Sequence, residues 1–285
     1  MKTFASLLFA IAILFSMSSC SSFIYVHKTY DPEIIPEKKP GKILFVNLFD
    51  YTSPAYVKEK NEISYHAGVM KLVEGLSSSF LKDESFSFFI GDTLKKDIEI
   101  GQLTAFLPKD TILAICERHN IDMLLTLDSL NIFFEWETIV NEDVDGKEKS
   151  KNFYLYTRFY LSFYSATGNL INRSMIEKSS FYKSRIALSA LITFTPSIAN
   201  AIESVKPLSF QAGQDYVSKF YSKTVQESRQ IYAGKAFKES NLFIRLRNWD
   251  KATELLDQLA KSPDPKIAEK ARHNMSVVKE AAELE

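Results

Sequence analysis

Cysteine is almost absent. The chain of 285 residues carries two, Cys20 and Cys116, which excludes a miniprotein stapled by disulfides. Histidine is scarce too, with four. His27, His66, His119 and His273 lie far apart and form no HxxxH or HExxH pattern, so no histidine metal motif is present. Nine glycines and nine prolines exclude collagen and low-complexity sequence and leave no Gly-rich loop to cradle a phosphate. No GxSxG, P-loop or GxGxxG occurs. Net charge is missing as well, with 35 Lys+Arg against 35 Asp+Glu. A dedicated nucleic-acid binder needs a surplus of cations to neutralise phosphates, so nucleic acid is not an expected partner. What remains is 46% hydrophobic residues, enough for one or two domains with a sizeable core.

The amino terminus carries an address. Lys2 is followed by an apolar run from Phe4 to Phe15, then by Met17-Ser18-Ser19-Cys20. The run falls short of the roughly 20 residues that span a bilayer core and fits the apolar stretch of a secretory signal. The small residues ending in Cys20 resemble the bacterial lipobox, with Met17 in the position usually held by Leu. That resemblance implies cleavage before Cys20, a lipoprotein signal peptide over residues 1–19, and lipidation of Cys20. Acyl chains contribute about 0.8 kcal/mol per buried CH2, and stable anchoring takes more than one chain. The alternative is an ordinary signal peptide with a coincidental cysteine. With Cys20 acylated, Cys116 has no disulfide partner and reads as a small buried hydrophobe in a helix. The acidic cluster that surface-exported Bacteroidota lipoproteins often carry after the cysteine is missing from Ser21–Val26. By resemblance, the protein faces the periplasm from the outer membrane. Residues 20–41, with Pro32, Pro36 and Pro40, read as an extended lipid-anchored tether.

Residues 42–233 read as an α+β domain. Lys42–Phe49 is a short β-branched and aromatic run, a buried strand. Val69, Leu72, Val73, Leu76 and Phe80 recur at helical spacing over residues 63–81. Ser85–Ile90 is a second strand, and Pro108 opens a helix to about Asn120. Ile121–Leu127 is a third strand that continues to Trp136. This β-α-β-α-β order predicts a sheet covered by helices. Antiparallel strands follow, giving a mixed β-sheet. Phe153–Tyr164 alternates: Phe153, Leu155, Phe159, Leu161 and Phe163 line one face, broken by Thr157, and Tyr154, Tyr156, Arg158, Tyr160 and Tyr164 line the other. Thr167-Gly168-Asn169 marks a turn into a partner strand over residues 170–182. Residues 186–202 read as helical with an interruption near Pro196, and residues 209–223 as another helix. Residues 226–232 fit either a strand or a helix.

Residues 234–285 are helical throughout. Helices are expected over 235–247, 249–261 and 266–283, broken at Ser262-Pro263-Asp264-Pro265. Trp249, Ala252, Leu256 and Pro263 resemble the second half of a tetratricopeptide repeat, and Ser276 then matches Ser240 as the small residue of the next repeat. A plain helical hairpin is the alternative. The whole chain resembles an uncharacterised Bacteroidota lipoprotein family that has a lipobox, an αβ domain with a hydrophobic-Asp-Ser-Leu strand motif, here Leu127-Asp128-Ser129-Leu130, and a short tetratricopeptide-like tail. The strand–helix order is also similar to envelope lipoproteins of the curli-secretion type, a likeness of fold that carries no function.

Candidate chemistry is sparse. His119, at a helix end, interacts favourably with the helix dipole. In Asn141–Gly146 the spacing of Asn141, Asp143, Asp145 and Gly146 follows an EF-hand loop, but Asn152 stands where the bidentate Glu belongs, and Asp-Gly between strands makes a hairpin turn without calcium. Glu135 and Glu137 share a strand face at roughly 7 Å, a spacing a glycosidase could use but one that more simply solvates a strand end. Asp92-Thr93-Leu94, Asp110-Thr111-Ile112 and Asp128-Ser129-Leu130 match a short O-glycosylation motif of Bacteroidota envelope proteins, with Thr93 in an exposed loop and Ser129 buried. The row of Tyr154, Tyr156, Arg158, Tyr160 and Tyr164 is an interaction surface if it is open, or an ordinary core face if helices from residues 186–222 cover it.

These residues lead to a non-enzymatic envelope lipoprotein with no cofactor and no metal. It would meet the membrane through its lipid anchor and present an αβ domain, and a helical tail bearing Trp249, to a protein partner. The alternative is a periplasmic glycan or small-ligand binder working through the aromatic sheet face.

Overall fold

The computed structural model describes residues 21–37, 41–50, 61–91, 107–143, 146–186 and 195–284. Residues 1–19, read from the sequence as a signal peptide, and Cys20 and Thr93 lie outside the described residues. In chain order the elements are β1 (Ser21–Tyr30), β2 (Gly41–Asn47), α1 (Glu62–Phe80), β3 (Phe86–Ile90), α2 (Lys109–His119), β4 (Met123–Asp143), β5 (Gly146–Ser165), β6 (Leu170–Ile186), α3 (Ile202–Ser218), β7 (Lys223–Tyr232), α4 (Lys238–Arg245), α5 (Trp249–Ala260) and α6 (Pro265–Glu283). The class is α+β. The described residues divide into two compact units, one within residues 32–221 and a terminal unit joining residues 21–31 to 222–284.

The larger unit holds a five-stranded mixed sheet in the order β3-β2-β4-β5-β6. β3, β2 and β4 run parallel, and β5 and β6 continue antiparallel. Helices cover both sides of the parallel part. Ile43, Phe45, Met123, Leu125 and Leu127 face α1 and α3, and Leu44, Val46 and Leu124 face α2. This explains why β2 reads as an unbroken apolar run rather than an alternation. α1 and α3 meet closely at two glycines: a Cβ on Gly75 would overlap the Phe210 carbonyl, and one on Gly213 the Leu72 carbonyl. Phe80, Phe86, Phe163 and Tyr216 all set their rings against Phe220, with centroids 5.1–5.9 Å away.

α3 begins at Ile202, seven residues before the predicted start, with Pro207 inside it. A proline there removes one hydrogen bond, and the burial of Val205, Leu208, Ala212, Tyr216 and Val217 on one stripe outweighs that loss. β4 and β5 run beyond their expected ends and pair down to Asp143 and Gly146, the hairpin that the Asp-Gly sequence suggests.

The terminal unit corrects the expected tether. Ser21–Tyr30 is a strand, paired antiparallel with β7 from Ser21↔Tyr232 to Tyr30↔Lys223. The alternation of Ile24 and Val26 with exposed neighbours is a strand pattern, and a partner 193 to 211 positions further along the chain is invisible to local reading. β7 also settles residues 226–232 as strand and moves the domain boundary from 233/234 to 221/222. Ile24, Val26, Ile231, Phe237, Ile244, Ala252, Leu256, Ala271, Val277, Val278 and Ala281 form one core. Asn274 on α6 holds both backbone groups of Tyr232: its Oδ1 accepts from the amide at 2.7 Å, and its Nδ2 donates to the carbonyl at 2.9 Å. Asn248 and Asp264 cap α5 and α6. Ser240 is buried whereas Ser276 is exposed, so the two serines matched by repeat position occupy different environments.

Candidate functional site

The alternation in β5 is the starting point. Phe153, Leu155, Thr157, Phe159, Leu161 and Phe163 are buried, and α1 and α3 pack on this side. The helix formed by residues 202–218 therefore covers the phenylalanine–leucine face and not the tyrosines. Tyr154, Tyr156, Arg158 and Tyr160 remain partly exposed, and among the described residues of this unit no helix shares a hydrophobic cluster with them. Tyr164 departs from the expected row. It is buried under α2 with Leu124, Ile112, Ile115 and Cys116, because α2 covers this end of the sheet. Trp249 opens α5 and packs on the core of the terminal unit, so it is not part of this face.

Register brings in neighbours that single-strand reading misses. Across to β4, Tyr154 faces Glu135, Tyr156 faces Phe133, Arg158 faces Asn131 and Tyr160 faces Ser129. Across to β6, Tyr154 faces Phe181, Arg158 faces Glu177 and Tyr160 faces Met175. Met175 and Phe181 are exposed large apolar residues. Their exposed partners Arg173, Glu177 and Ser179 on β6 alternate with buried Ser174 and Ile176, a period-two signal present in the sequence. Ser129, expected to be buried, is half-exposed on this face.

The side chains are tied to one another. Phe133 and Tyr156 stack with centroids 5.3 Å apart and planes 11° from parallel. The Arg158 guanidinium lies 5.0 Å from the Phe133 ring centre. Its Nε donates to Glu177 Oε2 at 2.7 Å, and this bond, with the carboxylate charge, raises the Arg158 pKa. Tyr154 meets Phe181 edge-on at 5.8 Å, and its hydroxyl donates to Glu137 Oε1 at 2.6 Å. That bond raises the Tyr154 pKa. Glu137 is thereby a hydrogen-bond partner of the aromatic row rather than half of a carboxylate pair with Glu135.

Where this face passes towards the end covered by α2, β4 breaks register between Leu127 and Ser129. Asp128 sits at the irregularity. Its carboxylate accepts from Thr126 Oγ1 at 2.6 Å and Ser162 Oγ at 2.5 Å, and Arg173 Nε stands 3.7 Å away. Burial raises its pKa against the opposing effect of these partners. The Asp-Ser-Leu motif thus falls where the β4–β5 pairing loses its regular register.

The histidines sit on four different elements: His27 is on β1, His66 on α1 and His119 at the end of α2, and His273 on α6 contacts the Gln230 carbonyl at 3.0 Å through Nε2. Among the described residues no three His, Cys, Asp or Glu side chains group to hold a metal. Of the candidate calcium loop, residues 144–145 lie outside the described residues. No described helix is long and apolar enough to cross a membrane. A protein-family model described as a domain of unknown function (DUF8603) matches residues 45–232. That span starts inside β2 and ends at the last residue of β7. No curated protein matches.

Proposed function

Starting from a chain that belongs to the DUF8603 family, we propose that this protein is a non-enzymatic interaction module of the cell envelope. In this reading Cys20 carries the lipid anchor, the protein faces the periplasm from the outer membrane, and the open face of β4, β5 and β6 docks a protein partner. The lipobox-like Met17–Cys20 and its resemblance to Bacteroidota lipoproteins support the location.

One observation carries the docking reading: Phe133, Tyr154, Tyr156, Arg158, Tyr160, Met175 and Phe181 form a contiguous, partly exposed row. Tyr, Phe, Met and Arg are the residues enriched in the cores of protein interfaces. Their mutual contacts hold them in place before a partner arrives, which lowers the entropy cost of docking. A glycan site would need free ring faces for stacking. Here Phe133 stacks on Tyr156 and lies under Arg158, so those faces are already engaged, and the geometry favours a protein partner.

A photo-crosslinking amino acid placed at Met175 or Tyr160 in living cells is the test. A discrete protein adduct that disappears in a Tyr156→Ala/Arg158→Ala background supports the proposal. No adduct at either position, together with glycan binding by the purified protein that the same double variant removes, replaces it with the glycan reading.

A further inference from the structure

We propose that the outer face of the β1–β7 ribbon lies against the lipid bilayer, with Phe23 and Tyr25 seated in the headgroup interface. The inference rests on the lipid-anchor reading of Cys20 and adds which face of the folded unit meets the membrane.

The argument begins with chain length. β1 starts at Ser21, so no slack separates a lipidated Cys20 from folded structure. At about 3.5 Å per extended residue, Phe23 lies within roughly 11 Å of Cys20 and Tyr25 within roughly 18 Å. The pleat then sorts the side chains. Ile24 and Val26, 8% and 3% exposed, turn into the core, and Phe23 and Tyr25, 59% and 60% exposed, turn out. Two large aromatic groups left open this close to an anchor need an apolar neighbour, and the anchor itself delivers one.

The rest of the face agrees. Phe23 pairs with Gln230, Tyr25 with Ser228, His27 with Gln226 and Thr29 with Thr224. Every one of these residues is exposed, and none carries a carboxylate. The ribbon's acidic residue, Glu227, lies on the other side, bonded to Tyr30 and Arg229. Pressing the outer face into headgroups therefore buries no negative charge, and Tyr and Phe are residues that partition to that depth.

The test uses the acylated protein in phosphatidylethanolamine/phosphatidylglycerol vesicles. Nitroxide labels are placed at Phe23→Cys and Tyr25→Cys, with Gln258→Cys on exposed α5 as the control. Labels at 23 and 25 are expected to be shielded from a water-soluble nickel relaxant and reached by oxygen, and the label at 258 the reverse. In addition, Phe23→Ser/Tyr25→Ser should speed transfer of the acylated protein between vesicles roughly tenfold. Acylated protein whose labels at 23 and 25 are as wet as that at 258 overturns the ribbon proposal and leaves the anchor standing. Mass spectrometry showing an unmodified amino terminus sinks the anchor reading, and the ribbon proposal falls with it.

Discussion

Asp128 leaves the regular ladder of β4 and takes the Ser162 hydroxyl of β5 at 2.5 Å. Thr126 Oγ1 bonds the other carboxylate oxygen at 2.6 Å. A carboxylate held this far from water is easier to protonate than in the unfolded chain, and its pKa is raised chiefly by burial. The folded state therefore binds the proton more tightly. Its contribution to stability is complete below the ordinary carboxylate pKa and is lost as pH rises through the raised value. Asp128→Asn removes this titration. Urea melts across a pH series should show the wild type losing stability relative to the variant as pH climbs through that window. Parallel curves would refute the assignment.

Gly75 and Gly213 are expected to be intolerant of any side chain. A methyl group at either would run into backbone of the facing helix, and backbone cannot swing aside as a side-chain tip can. Gly75→Ala or Gly213→Ala should cost about 3 kcal/mol by overpacking, read as a lower urea midpoint. By contrast Gly234, with nothing within 4 Å of its Cβ position, tests backbone conformation alone. Its φ of 138° makes Gly234→Ala destabilising without any clash.

The thiol of Cys116 should be silent in the folded protein. It is buried with Ile112 and Ile115 under β2 and β4, and burial, helped by the charge of Asp122, pushes its pKa up to about 11. A thiol reagent at neutral pH is expected to label it only after unfolding, because the thiolate is the reactive form. Labelling at the same rate with and without denaturant would contradict its placement.

Much of this fold is legible in the sequence because the signals are local. The period-two pattern of Phe153–Phe163 and the helical spacing of Val69–Phe80 mark their elements and even their buried sides. What stays hidden is pairing across distance. β1 looks like a proline-flanked tether until β7, beginning at Lys223, is set beside it. The same holds for the candidate surface. Tyr154, Tyr156, Arg158 and Tyr160 emerge from one strand's alternation, whereas Phe133, Met175 and Phe181 need the register of the sheet. Tyr164 misled because alternation reports which side a residue faces, not how far along that side a helix such as α2 extends.

Thr157 and Tyr216 make the sharpest stability test. Both are fully buried, and neither hydroxyl oxygen has a hydrogen-bond partner among the described residues. Thr157 interrupts an otherwise apolar row facing α1 and α3, and Tyr216 reaches into the same core. Each hydroxyl gave up its bonds to water on folding and gained no partner among the described residues, a loss of about 1–3 kcal/mol for a neutral group. Thr157→Val keeps the shape and deletes the oxygen, and Tyr216→Phe does the same for the ring. Each should therefore stabilise the protein by about 1 kcal/mol, seen as a higher denaturation midpoint with an unchanged slope. The two gains should add in the double variant, and a single variant that lowers the midpoint would refute the assignment.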